Sequence, residues 1–267
     1  MRAMFQTYRA LMRAGILAEF QYPIAQYFYM IGMITEPVVY LVVWGIVAQA
    51  QGGQVGGYTP AQFAAYYIIW MLVRTMNVTF TPYGWEWRIR EGRLSTLLSR
   101  PLHPIHNDIA YFLGMKVPNI LLWLPVAFGL VWAFKPDLHP NLWQVLGFGA
   151  ALLGAFLLRT MLLWSIGLIT FWTTRVAAIF ELYFMLELLL SGRMVPLSLM
   201  PNWVQQIAVW LPFRWAFQFP IELLVFPTAP SAILQGLAIQ LLWIVAGALL
   251  VRLIWRQAVR HYGAVGG

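Results

Sequence analysis

Residues 231–252 read SAILQGLAIQLLWIVAGALLVR. No charge occurs from Ser231 to Val251, and the run ends on Arg252. A helix needs about 20 mostly apolar residues to cross a hydrocarbon core of about 30 Å, so this stretch predicts a membrane span. Five other segments share its character: 27–49, 61–83, 110–134, 144–172 and 176–195. Lipid offers the backbone no water to bond with, and helices satisfy their own N–H and C=O groups, so six apolar runs predict six transmembrane helices.

Hydrophobic residues make up 61% of the 267 and charged residues 10%, with a mean hydropathy of +0.70. A soluble domain carries about 25% charged residues, too many for this chain to match. The expectation is an all-α integral membrane protein forming a single domain over 1–267, since no internal repeat or low-complexity linker divides it. The chain has no cysteine, which excludes disulfides, thiolate metal sites and cysteine nucleophiles. Its net charge of +8 sits beside apolar spans, where arginines serve lipid headgroups and topology, so no nucleic-acid partner is expected. Residues 1–26 lack the uninterrupted apolar core of a cleavable signal.

The arginines also predict orientation. Arg2, Arg9 and Arg13 precede the first span, and Arg88, Arg90, Arg93 and Arg100 separate the second from the third. Arg175 marks the turn between the fourth and fifth, and Arg252, Arg256 and Arg260 follow the sixth. The alternate loops are poorer: 51–60 has no charge, and the next has only Lys135 with Asp137. Basic loops remain on the cytoplasmic side, so both termini are expected there.

Three stretches depart from simple spans. In 1–26, Met4, Phe5, Tyr8, Leu11, Met12 and Ile16 share a broad helical face edged by arginines, the pattern of an amphipathic helix lying in the interface. Residues 191–220 are broken by Pro196, Pro201, Pro212 and Pro220 yet too apolar for a loop in water. There Trp203, Ile207 and Trp210 recur at helical spacing, predicting a re-entrant or interfacial helical hairpin between the fifth and sixth spans. Finally, REGRLSTLLSRPLHP (90–104) places Leu94, Leu97 and Leu98 at helical spacing among Arg90, Arg93 and Arg100, between Gly92 and Pro101.

Two of these stretches carry a resemblance. IREGRLSTLLSRPLHPI (89–105) is similar to the x-G-x-L-x-x-L-L-x-x-P connection of ABC-2 type permeases, the membrane subunits of one class of ABC exporter. SGRMVPLSLMPNWVQQIAVWLPF (191–213) resembles that family's G-x-x-x-P-x-x-x-x-P-x-W hairpin, carried here by Gly192, Pro196, Pro201, Trp203 and Pro212. The nearest subgroup pairs two different permeases, described as exporters of viologen-type cations or left unassigned. The resemblance implies a permease subunit of an ATP-driven exporter in a prokaryotic plasma membrane, itself no enzyme. Separate ATPase subunits would hold ATP and Mg2+, and a second permease of different sequence would complete the path. It also makes 86–106 a cytoplasmic coupling segment. Leu94, Leu97 and Leu98 would enter a partner's groove, and Arg90, Arg93 and Arg100 would meet acidic residues on its rim. Spacing alone fits equally a basic loop that holds topology while its leucines rest on lipid.

Five ionisable residues fall within the predicted spans: Glu36, Arg74, Arg159, Glu181 and Glu187. Each costs about 2.5–3.5 kcal/mol at a span's centre unless paired or wetted. At about 1.5 Å per residue, Glu36 and Arg74 both lie about 13 Å from the cytoplasmic ends. On the same measure Glu187 lies at about 17 Å and Arg159 at about 21 Å. The expected pairs are therefore Glu36–Arg74 and Glu187–Arg159. The alternative from another functional class is an ion-coupled secondary transporter or channel using Glu181 and Glu187, although such proteins usually show repeated halves. No phosphate-binding G-x-x-x-x-G-K-[ST] occurs, no catalytic constellation is evident, and His103 with His106 lacks a third metal ligand.

Overall fold

The computed structural model describes residues 2–21, 23–173 and 176–261, with the side chains of Arg2, Ala3 and Pro23 excepted. Arg175 and the Arg2 side chain, both used above to assign sidedness, thus lie outside the described residues. Twelve α-helices follow in order: α1 Arg2–Gln21, α2 Pro23–Ala50, α3 Pro60–Met76, α4 Pro82–Arg90, α5 Arg93–Leu98, α6 Pro104–Phe134, α7 Leu142–Gly167, α8 Ala177–Leu190, α9 Asn202–Val209, α10 Pro212–Ala216, α11 Gln218–Val225 and α12 Pro230–His261.

Among the described residues four helices are long and apolar enough to cross a membrane: Ile24–Ala50, Pro104–Phe134, Leu142–Phe171 and Pro230–His261. Those over the second and fifth expected spans are shorter, with 17 residues in α3 and 14 in α8. At about 1.5 Å per residue they cover about 26 Å and 21 Å. α3 ends early because Asn77 caps it and Thr81, held extended before Pro82, leads out of the helix. α8 ends at Ser191, where Gly192 takes φ +80° and turns the chain back into the bundle.

α3 and α7 form the centre. α3 buries an almost continuous run from Phe63 to Val73, including Tyr66, Tyr67 and Trp70, because neighbours surround it on all sides. α2, α6 and α12 expose much of their apolar surface, which in a membrane meets lipid or another subunit. α1 lies across α6 through two glycines. A Cβ on Gly114 would fall 2.1 Å from the Met12 carbonyl oxygen, and one on Gly15 would fall 2.2 Å from that of Tyr111. Packing backbone on backbone is how helices gain contact where water supplies no driving force.

The proline-broken segment runs from 191 to 226, six residues past the expected boundary. α9 turns Trp203 outward and Val204 and Ala208 inward, and Trp210 just past its end is also exposed. It sits at the arginine-poor end, where Tyr58 Oη and Ser198 Oγ are 3.1 Å apart. α10 and α11 instead fold back against α3 and α7. Their irregular carbonyls, costly if unsatisfied in an apolar setting, are met by buried amides. Asn77 Nδ2 donates to Ala216 O (2.7 Å) and Gln240 Nε2 to Trp215 O (2.8 Å). Gln144 Nε2 donates to both Leu223 O (2.8 Å) and Phe226 O (2.7 Å).

Candidate functional site

The arginine-rich end is built around α4, α5 and the start of α6. Gly92 joins α4 to α5 at φ +64°, a left-handed turn that a side chain would strain. This turn folds α5 back so that its leucines face inward. Leu94 is 0% exposed, in a cluster with Trp85, Ile105, Ile109, Trp164 and Leu168. Leu97 and Leu98 are half-buried against the same cluster. α5 is six residues long, and its leucines pack on the chain's own tryptophans, Leu94 wholly and Leu97 and Leu98 in part.

What faces outward is polar and basic. Arg90, Arg93 and Arg100 are exposed, together with Ser95, Thr96 and Ser99. The Arg93 guanidinium lies 4.2 Å from the centre of the Trp87 ring, holding both against the surface.

Beneath this face lies a latch. Arg88 is 9% exposed and forks onto Asp108, with Nη1 to Oδ2 at 2.8 Å and Nη2 to Oδ1 at 2.5 Å. Trp164 Nε1 donates to the same carboxylate at 3.0 Å. One buried anion thus ties α4 to α6 and α7 with three charge-assisted bonds. His103 caps α6 by accepting from Ile105 N, and its ring packs 4.6 Å from that of Trp255. Burial, and then neighbouring His106, push the His103 imidazole down to about 4, so it is neutral at pH 7. Tyr8 Oη and His106 Nδ1, 2.6 Å apart, bring α1 into the same assembly.

A second charged group lies deeper. Arg74 Nη1 donates to Glu36 Oε2 at 2.9 Å and to Met33 O at 3.1 Å. Arg159 forks onto Glu187 through Nε (2.9 Å) and Nη2 (3.1 Å), while its Nη1 donates to Asn77 O at 2.9 Å. The structure therefore brings together the residues whose calculated depths matched. It adds Arg193, whose Nη2 reaches Glu36 Oε2 at 2.7 Å. Arg74 and Arg193 both lie over the Trp70 ring, at 5.3 and 5.7 Å from its centre. Arg74, Arg159, Glu187 and Arg193 line a cavity of about 200 Å³ between α2, α3, α7 and α8, and Glu36 is bonded to Arg74 and Arg193 beside it. Glu181 is not part of it: exposed on α8, it accepts from Tyr83 Oη at 3.1 Å.

The hairpin residues divide by role. Gly192 accepts from Tyr66 Oη at 2.7 Å, and a Cβ there would strike the Gln218 and Tyr66 side chains. Pro196 opens the short turn Leu197–Leu199, and Pro201 and Pro212 start α9 and α10. Trp203 remains on the outer surface.

Sequence reasoning gave Arg88, Asp108 and Arg193 no part in a site. Asp108 carried a signal, being the only acidic residue between Glu91 and Asp137 and lying at the start of a span. Arg193 carried one too, as a lone charge in the apolar stretch between Glu187 and Arg214.

No curated protein matches this chain. A family model described as ABC-2 family transporter protein matches residues 34–266.

Proposed function

The chain belongs to the ABC-2 family of transporter proteins, and from that premise we propose that it is the permease subunit of an ATP-driven exporter whose ATPase subunits are separate chains. The observation that carries this reading is the exposed basic face of 87–100, fastened to the bundle by Arg88, Asp108 and Trp164. A docking face must be accessible, and it must also be rigidly joined to whatever it moves.

In this reading Arg90, Arg93 and Arg100 meet an acidic surface of the ATPase. Displacement of α4 and α5 pulls on Asp108, and through it on α6 and α7. Charge-assisted bonds in a dry setting resist stretching, so the displacement passes on to the bundle. α1, packed on α6, moves with them. Six crossings result if α3 and α8 count as spans in a locally thinned bilayer. The basic end is then cytoplasmic, both termini lie there, and the membrane is a prokaryotic plasma membrane. A second permease of different sequence would cover the exposed apolar side of the bundle, leaving the path between the two.

The reading as an ion-coupled transporter finds less support. Glu187 is already held by Arg159, and Glu181 lies apart from it on the exposed side of α8. The test is co-purification of this chain with an ATPase encoded beside it, followed by turnover measurements. R93E/R100E is expected to lose the ATPase and its stimulation while the permease still purifies as a folded protein. Unchanged association in that variant would refute docking through this face.

A further inference from the structure

Docking and coupling require nothing from the charged cavity between α2 and α8, so its composition asks for another explanation. Three guanidinium groups, Arg74, Arg159 and Arg193, line it, countered by two carboxylates: Glu187 on its wall and Glu36, bonded to Arg74 and Arg193. Both carboxylates are already engaged by arginines, and the Glu187 side chain is only 2% exposed. No acid is left for a cation to claim, whereas one positive charge is left over. Arg193 Nε is buried with no hydrogen-bond partner among the described residues. Ionisable groups at membrane depth are costly, and those that face a cavity mark substrate or ion pathways.

The cavity is accessible, since the side chains of Arg74 and Arg193 each retain 20% exposure. Apolar groups, Tyr29 and Met33 from α2 and Phe184 from α8, line its walls. Outside it, α2 presents Phe28 and Ile31 to the lipid side. A basic pocket continuous with an apolar surface matches a molecule with an anionic end and an apolar body. Arg is suited to the first part because its planar fork meets phosphate or carboxylate oxygens in pairs.

We propose that this cavity binds the anionic headgroup, phosphate or carboxylate, of an amphiphile whose apolar part lies along α2, with Arg193 as the principal cation. Its role as a substrate site rests on the transporter reading above; its ability to bind does not. This selectivity is opposite in sign to the cationic cargo suggested by the subgroup resemblance.

The experiment is calorimetric titration of the purified full-length chain, in a nonionic detergent, with decyl phosphate, inorganic phosphate and decyltrimethylammonium. Decyl phosphate is expected to bind, and R193Q to weaken it by at least about tenfold, the smallest loss expected for one charge-assisted hydrogen bond. R193K keeps the charge but loses the paired fork, so it should bind more weakly than wild type and more tightly than R193Q. E36Q frees Arg74 and Arg193 and should tighten binding, a gain that a misfolded variant cannot produce. Equal binding of inorganic phosphate and decyl phosphate would overturn the amphiphile assignment and leave a free anion as ligand. Binding of decyltrimethylammonium alone, or of decyl phosphate with equal affinity to wild type and R193Q, would overturn the site. Because no ATPase is present, failure here leaves the transporter reading standing, and failure to find an ATPase leaves this result standing.

Discussion

Loss of Asp108 should cost this chain heavily. Its carboxylate takes both arms of Arg88 and the Trp164 indole N–H, and it is 2% exposed. D108A removes the anion but leaves the Arg88 guanidinium buried at 9% exposure, with no counter-charge. Breaking one side of a buried pair typically costs about 3–5 kcal/mol. At about 2–4 °C per kcal/mol for a chain of this size, Tm should fall by roughly 10 °C. D108N keeps an acceptor for Trp164 and should lie between D108A and wild type. The double variant R88M/D108L removes both charges together, so its Tm should return to within a few degrees of wild type. That double variant should nevertheless lose ATPase-driven transport, because α4 is no longer fastened to α6. The assay is thermal unfolding in detergent, followed by transport in vesicles. A wild-type Tm for D108A, or a double variant as unstable as the single, would refute the latch.

Other outcomes follow from the same geometry. R159E and E187R should each abolish stable expression, and the combined swap should restore much of it, read by yield and gel filtration; no rescue would contradict the pair. His103 titrates near 4 in the folded chain against an ordinary value of about 6.5, so the unfolded chain binds the extra proton first. Stability is therefore full above about pH 6.5 and declines as pH falls toward 4. Tm measured across that range should decline less in H103N, which keeps a capping side chain and does not titrate. Q144L strands the carbonyls of Leu223 and Phe226, at about 1–3 kcal/mol for each unsatisfied group, and should free the end of α11 to proteolysis. Resistance equal to wild type would show that those carbonyls find other partners.

Depth arithmetic placed Glu36 level with Arg74 and Glu187 close to Arg159, because a helix's rise is nearly constant whatever packs around it. Arg193 escaped the same treatment. It stands beyond Gly192, where a positive φ redirects the chain and residue counting loses its axis. The leucines of α5 show a different limit. Periodicity reveals that Leu94, Leu97 and Leu98 share a face, but a face turned to the chain's own core has the same spacing as one turned to a partner. α11 was hidden by Pro220, read as a break. Pro220 lies in that helix's first turn, where its missing N–H has no bond to lose. The amides of Asn77, Gln144 and Gln240 leave no pattern in sequence, since their partners are carbonyls 25 to 139 residues away.

The central claim is that the polar, arginine-bearing face of 87–100 receives an ATPase. Because the chain has no cysteine, T96C places one reporter thiol on that exposed face without altering the latch beneath it. The decisive measurement is the rate at which a membrane-impermeant maleimide labels T96C in inside-out vesicles, with and without the ATPase subunit. Docking predicts fast labelling of the permease alone, strong protection when the ATPase is added, and loss of that protection in R93E/R100E. Equal labelling with and without the ATPase, under conditions where it stimulates transport, would contradict the account.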